Sequence, residues 1–213
     1  MLFLRKRWLL GVVLLVWASS SHAWLTTYHI GFLYGNGNQE VSRNDLTAEL
    51  NNEAWSIDEM RFDKNSRVKK LYGGFYFTPN FGVQLEYIDL GKVDITGTGK
   101  ASGEEQAFAD ALVKAMPSFG VGAAVSVIGR FPIWGRFVIQ DWVGVFGWKN
   151  EIEVVLPNGR FKGNDDGIDL ALGVSLEYLV TDSLSARVEW ERFNQGGDGI
   201  NILGGGLTYY FGR

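Results

Sequence analysis

Cysteine is absent from the 213-residue chain, so the sequence has no disulfide framework. Prolines are few, 4 against 28 glycines, and this balance favours a β-rich fold with close backbone contacts. After residue 23, no apolar run approaches the roughly 20 residues that a transmembrane helix requires, which excludes a helical membrane protein. The length is sufficient for one domain.

The start of the chain has the layout of a secretory signal peptide. Basic residues at 5–7 precede an apolar stretch at 8–17, and Ser21-His22-Ala23 places small residues at the cleavage motif. The apolar stretch is shorter than a membrane-spanning helix, which disfavours a permanent anchor. We therefore expect residues 1–23 to be removed and residues 24–213 to form one exported domain.

An excess of basic residues is also missing. Removal of the predicted signal peptide leaves 17 Lys and Arg against 24 Asp and Glu, a formal charge of −7. A nucleic-acid partner would require a basic surface and is excluded. After residue 23 the sequence has one histidine, His29, which leaves only carboxylates as further metal ligands, and the acidic stretch at 164–169 lacks the spacing of a calcium loop. We expect no metal and no cofactor.

The strongest pattern in the exported part is an alternation of apolar residues with small or polar ones. It is clearest from Ile168 to Val180, where seven apolar side chains share one face. A helix would distribute them around its circumference, whereas a strand collects them on one side. The other segments with this pattern are 28–34, 71–77, 81–87, 119–127, 137–148, 184–191 and 203–211. The sequence thus predicts eight strands, each close to the roughly 9–11 residues that cross a membrane with tilt.

The predicted connections alternate between short and long. Short turns are predicted at 78–80, 131–135 and 181–183, and the other connections at 36–67, 91–118, 149–167 and 194–199. Short turns at one rim and longer loops at the other are typical of outer-membrane barrels. In the second long loop, residues 102–117 are predicted to form a short helix, because Ser102 and Glu105 have the spacing of a capping box.

The two faces of the predicted strands differ in a way that favours a membrane. The polar face is the minority face and is crowded with small residues, as suits the narrow interior of an eight-stranded barrel. Aromatic residues such as Tyr28, Tyr178 and Phe211 lie near strand ends on the apolar face, as in the aromatic girdles at membrane interfaces. A soluble lipocalin-like barrel, with the apolar face inward, is the alternative.

Three stretches of the sequence resemble the transmembrane domain of OmpA-type outer-membrane proteins. They are 73–91, 173–190 and the C-terminal 207–213. The resemblance implies an all-β, eight-stranded antiparallel up-and-down barrel with short periplasmic turns and longer extracellular loops. It also implies a monomer in the cell outer membrane, surrounded by lipid and lipopolysaccharide, which the barrel-assembly machinery inserts.

Charged residues on the polar face are the candidate functional group of the lumen. The predicted lumen network consists of Glu86, Asp141, Glu177, Arg187 and Glu189. Asp141 belongs to a strand that is apolar on both sides, so its register is uncertain. The resemblance implies that Arg187 and Glu189 take part in an interior salt-bridge network. Because an isolated buried charge costs several kcal/mol or more, these groups must be paired.

These features predict a mainly structural, envelope-integrity role, with a narrow pore as a secondary hypothesis. The polar network either fills the lumen or opens as an ionic gate, and the narrow interior favours filling. The alternative is surface-loop adhesion or recognition, because Trp55, Ile57 and Met60 are apolar residues within a long loop. We expect no enzyme, since a lipid-modifying barrel would need a serine–histidine pair and His29 has no evident serine partner.

Overall fold

The computed structural model describes residues 27–39, 56–62, 65–91, 95–100, 120–156, 159–195 and 198–212. The predicted signal peptide and the predicted helix at 102–117 lie outside these residues. Within the described ranges, no helix has the length and apolar character needed to cross a membrane.

The described residues form ten strands. They are β1 (Thr27–Gln39), β2 (Ser56–Phe62), β3 (Asn65–Tyr76), β4 (Phe81–Gly91), β5 (Ile95–Lys100), β6 (Gly120–Trp134), β7 (Phe137–Leu156), β8 (Gly159–Leu179), β9 (Leu184–Gln195) and β10 (Asp198–Phe211). Eight of them close into a barrel in the order β1-β10-β9-β8-β7-β6-β4-β3, and β3 pairs with β1. Each barrel strand runs antiparallel to its neighbours. The prediction of an eight-stranded antiparallel barrel is therefore confirmed.

The strands extend further than the predicted boundaries. The segment 149–167 is predicted as a loop, but its described residues, 149–156 and 159–167, belong to β7 and β8, which pair as far as Leu156 and Gly159. The predicted turn at 131–135 is mostly strand, and the chain reverses at Gly135 and Arg136. Gly135 has a positive φ of 53°, a conformation that side chains other than glycine rarely adopt. Backbone hydrogen bonds between strands do not require alternating apolar residues. The strands can therefore continue beyond the segments in which the sequence alternates.

The predicted long loops also contain a second, smaller sheet. Strand β2 lies in the segment predicted as the first long loop, and β5 lies in the second. The two strands pair antiparallel from Ser56 and Lys100 to Phe62 and Ile95, with a register shift between Ile57 and Glu59.

Two of the short turns use the same hydrogen-bonding device. The hydroxyl oxygen of Thr78 accepts the backbone N–H of Phe81 at 2.8 Å, and that of Thr181 accepts the N–H of Leu184 at 3.0 Å. A threonine hydroxyl that accepts nearby backbone N–H groups stabilises a tight turn. Both turns therefore join adjacent barrel strands with few residues, as predicted for this rim.

The outer face of the barrel is apolar and exposed. Leu85, Val125 and Leu170 have exposed fractions of 61%, 59% and 62%. The residues that alternate with them are buried inside, as Glu86, Ala124 and Ala171 illustrate. A soluble barrel would have the opposite orientation, so the prediction that the apolar face points outward is confirmed.

Candidate functional site in the barrel lumen

Lys70 of β3 is the central cation of the lumen. Its ammonium Nζ lies 3.1 Å from Glu189 Oε1 and 3.3 Å from Glu86 Oε2, and it also forms an ion pair with Glu191. All four side chains are buried. An ammonium group carries three N–H donors, which matches the three carboxylates around it. This cluster connects β3 with β4 and with β9 across the lumen.

Arg187 of β9 extends the cluster toward the turn-side rim. Its Nη2 lies 2.9 Å from Glu189 Oε2, and its Nη1 lies 3.7 Å from Glu177 Oε1. Nη2 also donates to the hydroxyl of Ser175 at 2.9 Å. The guanidinium lies 4.9 Å from the ring centre of Tyr72, a distance suited to a cation–π contact. Glu189 thus links the two cations.

Neutral donors add hydrogen bonds to three of the carboxylates. The indole Nε1–H of Trp142 donates to Glu189 at 2.7 Å, and the Tyr210 hydroxyl donates to Glu177 at 2.7 Å. Glu86 accepts from the Ser126 hydroxyl at 2.9 Å and from the Gln84 amide at 3.0 Å. Hydrogen bonds to charged groups in a medium of low dielectric are stronger than neutral ones. The cluster is therefore held by hydrogen bonds as well as by opposite charge.

His29 faces the lumen, as predicted. Its Nε2 lies 3.0 Å from Oε1 of Gln84, and its ring centre lies 5.2 Å from that of Tyr76. Since Gln84 in turn donates to Glu86, the imidazole is connected to the charged cluster through an amide. The partner that the structure gives its Nε2 is this amide and not a serine hydroxyl.

An apolar layer fills the lumen on the loop side of the cluster. Phe146 and Phe193 are fully buried, with their ring centres 4.8 Å apart. Trp142 connects this layer with the charged one, because its ring lies 5.7 Å from Phe193 while its N–H reaches Glu189. Small residues make room for these rings: a Cβ at Gly173 would overlap the indole of Trp142.

A cavity of about 540 Å³ lies at the turn-side end of the lumen. Tyr76, Arg130 and Val138 contribute to its lining. The Arg130 guanidinium lies 5.3 Å from the ring centre of Tyr210, whose hydroxyl contacts Glu177. The cavity is therefore adjacent to the charged cluster.

The structure brings four of the five predicted network residues together and corrects the fifth. Glu86, Glu177, Arg187 and Glu189 lie in the lumen with the contacts given above. Asp141 does not, because its side chain is exposed on the outer face while Gln140 and Trp142 point inward. The inward residues of β7 include large aromatic ones, which removed the polarity contrast between its faces.

Two charged members of the cluster were missing from the predicted network. Glu191 lies on the polar face that the sequence pattern identified. Lys70 precedes the predicted strand at 71–77, but it has the same parity as the inward residues Tyr72 and Tyr76. Continuing the alternation back by one residue would have placed Lys70 in the lumen.

A family model provides an independent comparison. The model for the OmpA-like transmembrane domain matches residues 27–204, which is most of the chain. The chain belongs to this family. Together with the closed barrel and its apolar outer face, this membership places the OmpA-like barrel in the outer membrane, as expected from the sequence. Its predicted turns then lie on the periplasmic side and its loops on the extracellular side.

Individual relatives are distant. The outer membrane protein A of Shigella flexneri is 25% identical over 151 residues, which are 67% of this chain and 39% of that protein. The chain thus spans well under half the length of this relative. The attachment invasion locus protein Ail of Yersinia pestis is 13% identical with a TM-score of 0.49, covering 87% of this chain and 97% of that one. The N-terminal barrel of Pseudomonas aeruginosa OprF is 13% identical with a TM-score of 0.47, covering 85% and 97%.

Proposed function

We propose that this OmpA-like barrel is a structural, envelope-stabilising component of the outer membrane, with a lumen closed to the flow of ions. The observation that carries the proposal is the cluster around Lys70, which joins β3 to β4 and β9 through three buried carboxylates. Because removing one partner would leave the others as uncompensated buried charges, the cluster holds these strands together, and its side chains also occupy the path along the barrel axis.

The apolar layer supports the same conclusion. An eight-stranded barrel has an interior just wide enough for side chains to fill. Here Phe146 and Phe193 fill it directly above the charged cluster. An ion crossing the lumen would therefore have to displace both an ion-pair cluster and a packed aromatic pair.

Planar-bilayer recording of the refolded protein tests the closed lumen. We expect no sustained conductance steps from the wild type, whereas a sixteen-stranded porin in the same bilayers should conduct steadily. Stable ohmic conductance from the wild type would contradict the proposal and favour the narrow pore. In that case the excess of carboxylates in the lumen would make the pore selective for cations.

Surface recognition is the second candidate function, and the β7–β8 hairpin favours it. The last pairing of β7 with β6 is at Lys149, and the first pairing of β8 with β9 is at Ala171. Beyond these positions the two strands pair only with each other among the described residues, as far as Leu156 and Gly159. A hairpin that continues past the barrel wall provides a surface for contacts outside the membrane.

A complementation experiment separates the two candidates. A strain lacking the chain should become more sensitive to detergents and to large antibiotics that an intact outer membrane excludes. A variant in which residues 152–163, enclosed by the pair Glu151 and Asn164, are replaced by a two-residue turn should restore resistance as fully as the wild type if the barrel acts structurally. Failure of this variant, despite normal insertion, would favour recognition by the hairpin.

The proposal includes the surroundings and the route of assembly. The barrel would act as a monomer among lipid and lipopolysaccharide, after removal of residues 1–23 and insertion by the barrel-assembly machinery. Closure of the sheet supports a monomer, because it leaves no unpaired strand edge within the wall. No catalytic step is part of the proposal.

A further inference from the structure

Asp141 of β7 is a charged side chain within the apolar outer face. Its outward neighbours on the same strand are Ile139 and Val143, and the residue opposite it on β8 is Val174. Among the described barrel strands, the other charged side chains that point outward lie in the loop-side halves of their strands, as Lys69, Asp89 and Arg192 do. Of the outward charged side chains in the described strand residues, only Asp141 lies in the turn-side half of its strand.

The carboxyl group of Asp141 has space beside it and no partner among the described side chains. It is exposed, and the structure gives it neither a hydrogen bond nor an ion pair. On β6, the residue opposite is Gly129, where a Cβ would overlap Oδ1 of Asp141 and lie 2.9 Å from the Phe131 ring. The absence of a side chain at Gly129 therefore leaves a notch into which the carboxyl group extends.

The notch lies in the part of the wall that faces the periplasmic leaflet. Asp141 follows the start of β7 at Phe137 by four residues, and it pairs with Gly129, which in turn pairs with Phe81, the first residue of β4 after its turn. The apolar band of such barrels is about 25 Å tall, so the carboxyl group lies on the periplasmic side of its middle. Aspartate is too short to extend to the interface, in contrast to lysine or arginine. A cation that reaches the carboxylate would offset the cost of its charge at this position.

We propose that Asp141 and the notch over Gly129 bind the primary ammonium group of a phospholipid headgroup in the periplasmic leaflet. The charges are complementary, and an ammonium group brings N–H donors to the two carboxylate oxygens. The surrounding side chains, Ile139, Val143 and Val174, are aliphatic like the rest of the lipid-facing surface. This surface fits acyl chains below a headgroup and offers no further polar contact to a protein partner. The site is independent of whether the lumen conducts.

The experiment compares lipids that differ only in the headgroup amine. The mature protein is refolded into vesicles of phosphatidylglycerol with either phosphatidylethanolamine or phosphatidylcholine, with identical acyl chains. Phosphatidylcholine carries a quaternary ammonium group without N–H donors. The variant is Asp141→Asn, and the matched control is Asp166→Asn, which removes an exposed outward carboxylate on the loop side of β8. Urea unfolding at neutral pH is followed by the gel mobility of the folded barrel.

We expect Asp141→Asn to lower the folding equilibrium constant about threefold more in phosphatidylethanolamine than in phosphatidylcholine, as for an accessible ion pair. Asp166→Asn should show no such difference. Mass spectrometry of lipid retained by the purified protein should show phosphatidylethanolamine enriched on the wild type and not on Asp141→Asn. Equal effects of Asp141→Asn in both lipids, or no enrichment, would overturn the proposal. A dimer that Asp141→Asn abolishes would also overturn it, because the partner would then be a second copy of the chain.

Discussion

The inner face of the barrel wall packs against other side chains of the protein, whereas the outer face meets lipid, and the two faces are organised differently. On the inner face, charged groups form ion pairs, such as Lys70 with Glu189 at 3.1 Å, and the Trp142 ring packs against Gly173. On the outer face, aliphatic and aromatic side chains are exposed at the protein surface and meet lipid. The position of a residue along its strand, rather than its type, decides whether its side chain points into the lumen or toward lipid.

Adjacent residues of β3 illustrate the difference. Lys69 points outward and is exposed, whereas Lys70 points inward and contacts three carboxylates. The two side chains are chemically identical and one residue apart. They lie on opposite faces because successive residues of a strand alternate. The same substitution at both residues of such a pair therefore compares how much the inner and the outer face contribute to stability.

The largest effect is expected when the central cation is removed. Lys70→Met keeps a side chain of similar length but leaves Glu86, Glu189 and Glu191 without the ammonium group between them. Breaking a buried ion pair by removing one partner costs about 3–5 kcal/mol. Urea unfolding of the refolded protein in lipid vesicles, followed by gel mobility, measures this loss. Lys69→Met is the control and should change stability by less than about 0.5 kcal/mol.

Equal, small losses of stability for Lys70→Met and Lys69→Met would contradict this difference between the two faces. They would mean that the carboxylates around Lys70 are stabilised by their neutral donors alone. Adding Glu191→Gln to Lys70→Met distinguishes the causes, because it removes one of the carboxylates left uncompensated. It should recover part of the lost stability if charge repulsion is responsible.

A charge placed on the outer face should have the next largest effect. Leu85 lies mid-strand on β4 with 61% of its surface exposed to the surroundings of the barrel. Leu85→Arg should cost about 2–4 kcal/mol if this position meets the bilayer middle, whereas Leu85→Met should be tolerated. The same unfolding measurement applies. No loss of stability for Leu85→Arg would contradict the lipid-facing orientation.

An arginine at a second lipid-facing position tests whether a nearby carboxylate reduces this loss of stability. Val174 is also on the lipid face, but it lies opposite Asp141 on the neighbouring strand. An arginine there can pair with the carboxylate, so Val174→Arg should cost less than Leu85→Arg. In an Asp141→Asn background, this advantage should disappear.

The strand number and the orientation of the faces could be predicted from the sequence because lipid outside and a narrow lumen inside enforce a period of two. The partners within the lumen could not. Lys70 meets Glu189 across a separation of 119 residues, and this contact depends on the closure and register of the whole barrel. Sequence alternation identifies which residues point inward, but not which of them touch.

The prediction that Asp141 points into the lumen is wrong for a local reason. The inward residues of β7 include Val138, Trp142 and Phe146, so both faces of this strand are apolar. The polarity contrast that identifies the inner face elsewhere is absent, and the charged residue was assigned to the lumen because the lumen is polar on other strands. The sequence predicts a loop at 149–167, where the described residues belong to β7 and β8, for a related reason: no lipid enforces alternation beyond the membrane.

The smallest of these effects compares two tryptophans. Trp142 is buried in the lumen and donates its indole N–H to Glu189 at 2.7 Å, whereas Trp190 is on the outer face with 39% of its surface exposed. Trp142→Phe removes a hydrogen bond to a buried charge and should cost about 1.5–3 kcal/mol. Trp190→Phe keeps an aromatic ring against lipid and should cost less than about 1 kcal/mol. Urea unfolding in the same vesicles gives both values. If the two losses were equal, the lumen tryptophan would contribute only by packing, and the inner face would follow the same rule as the outer one at this position.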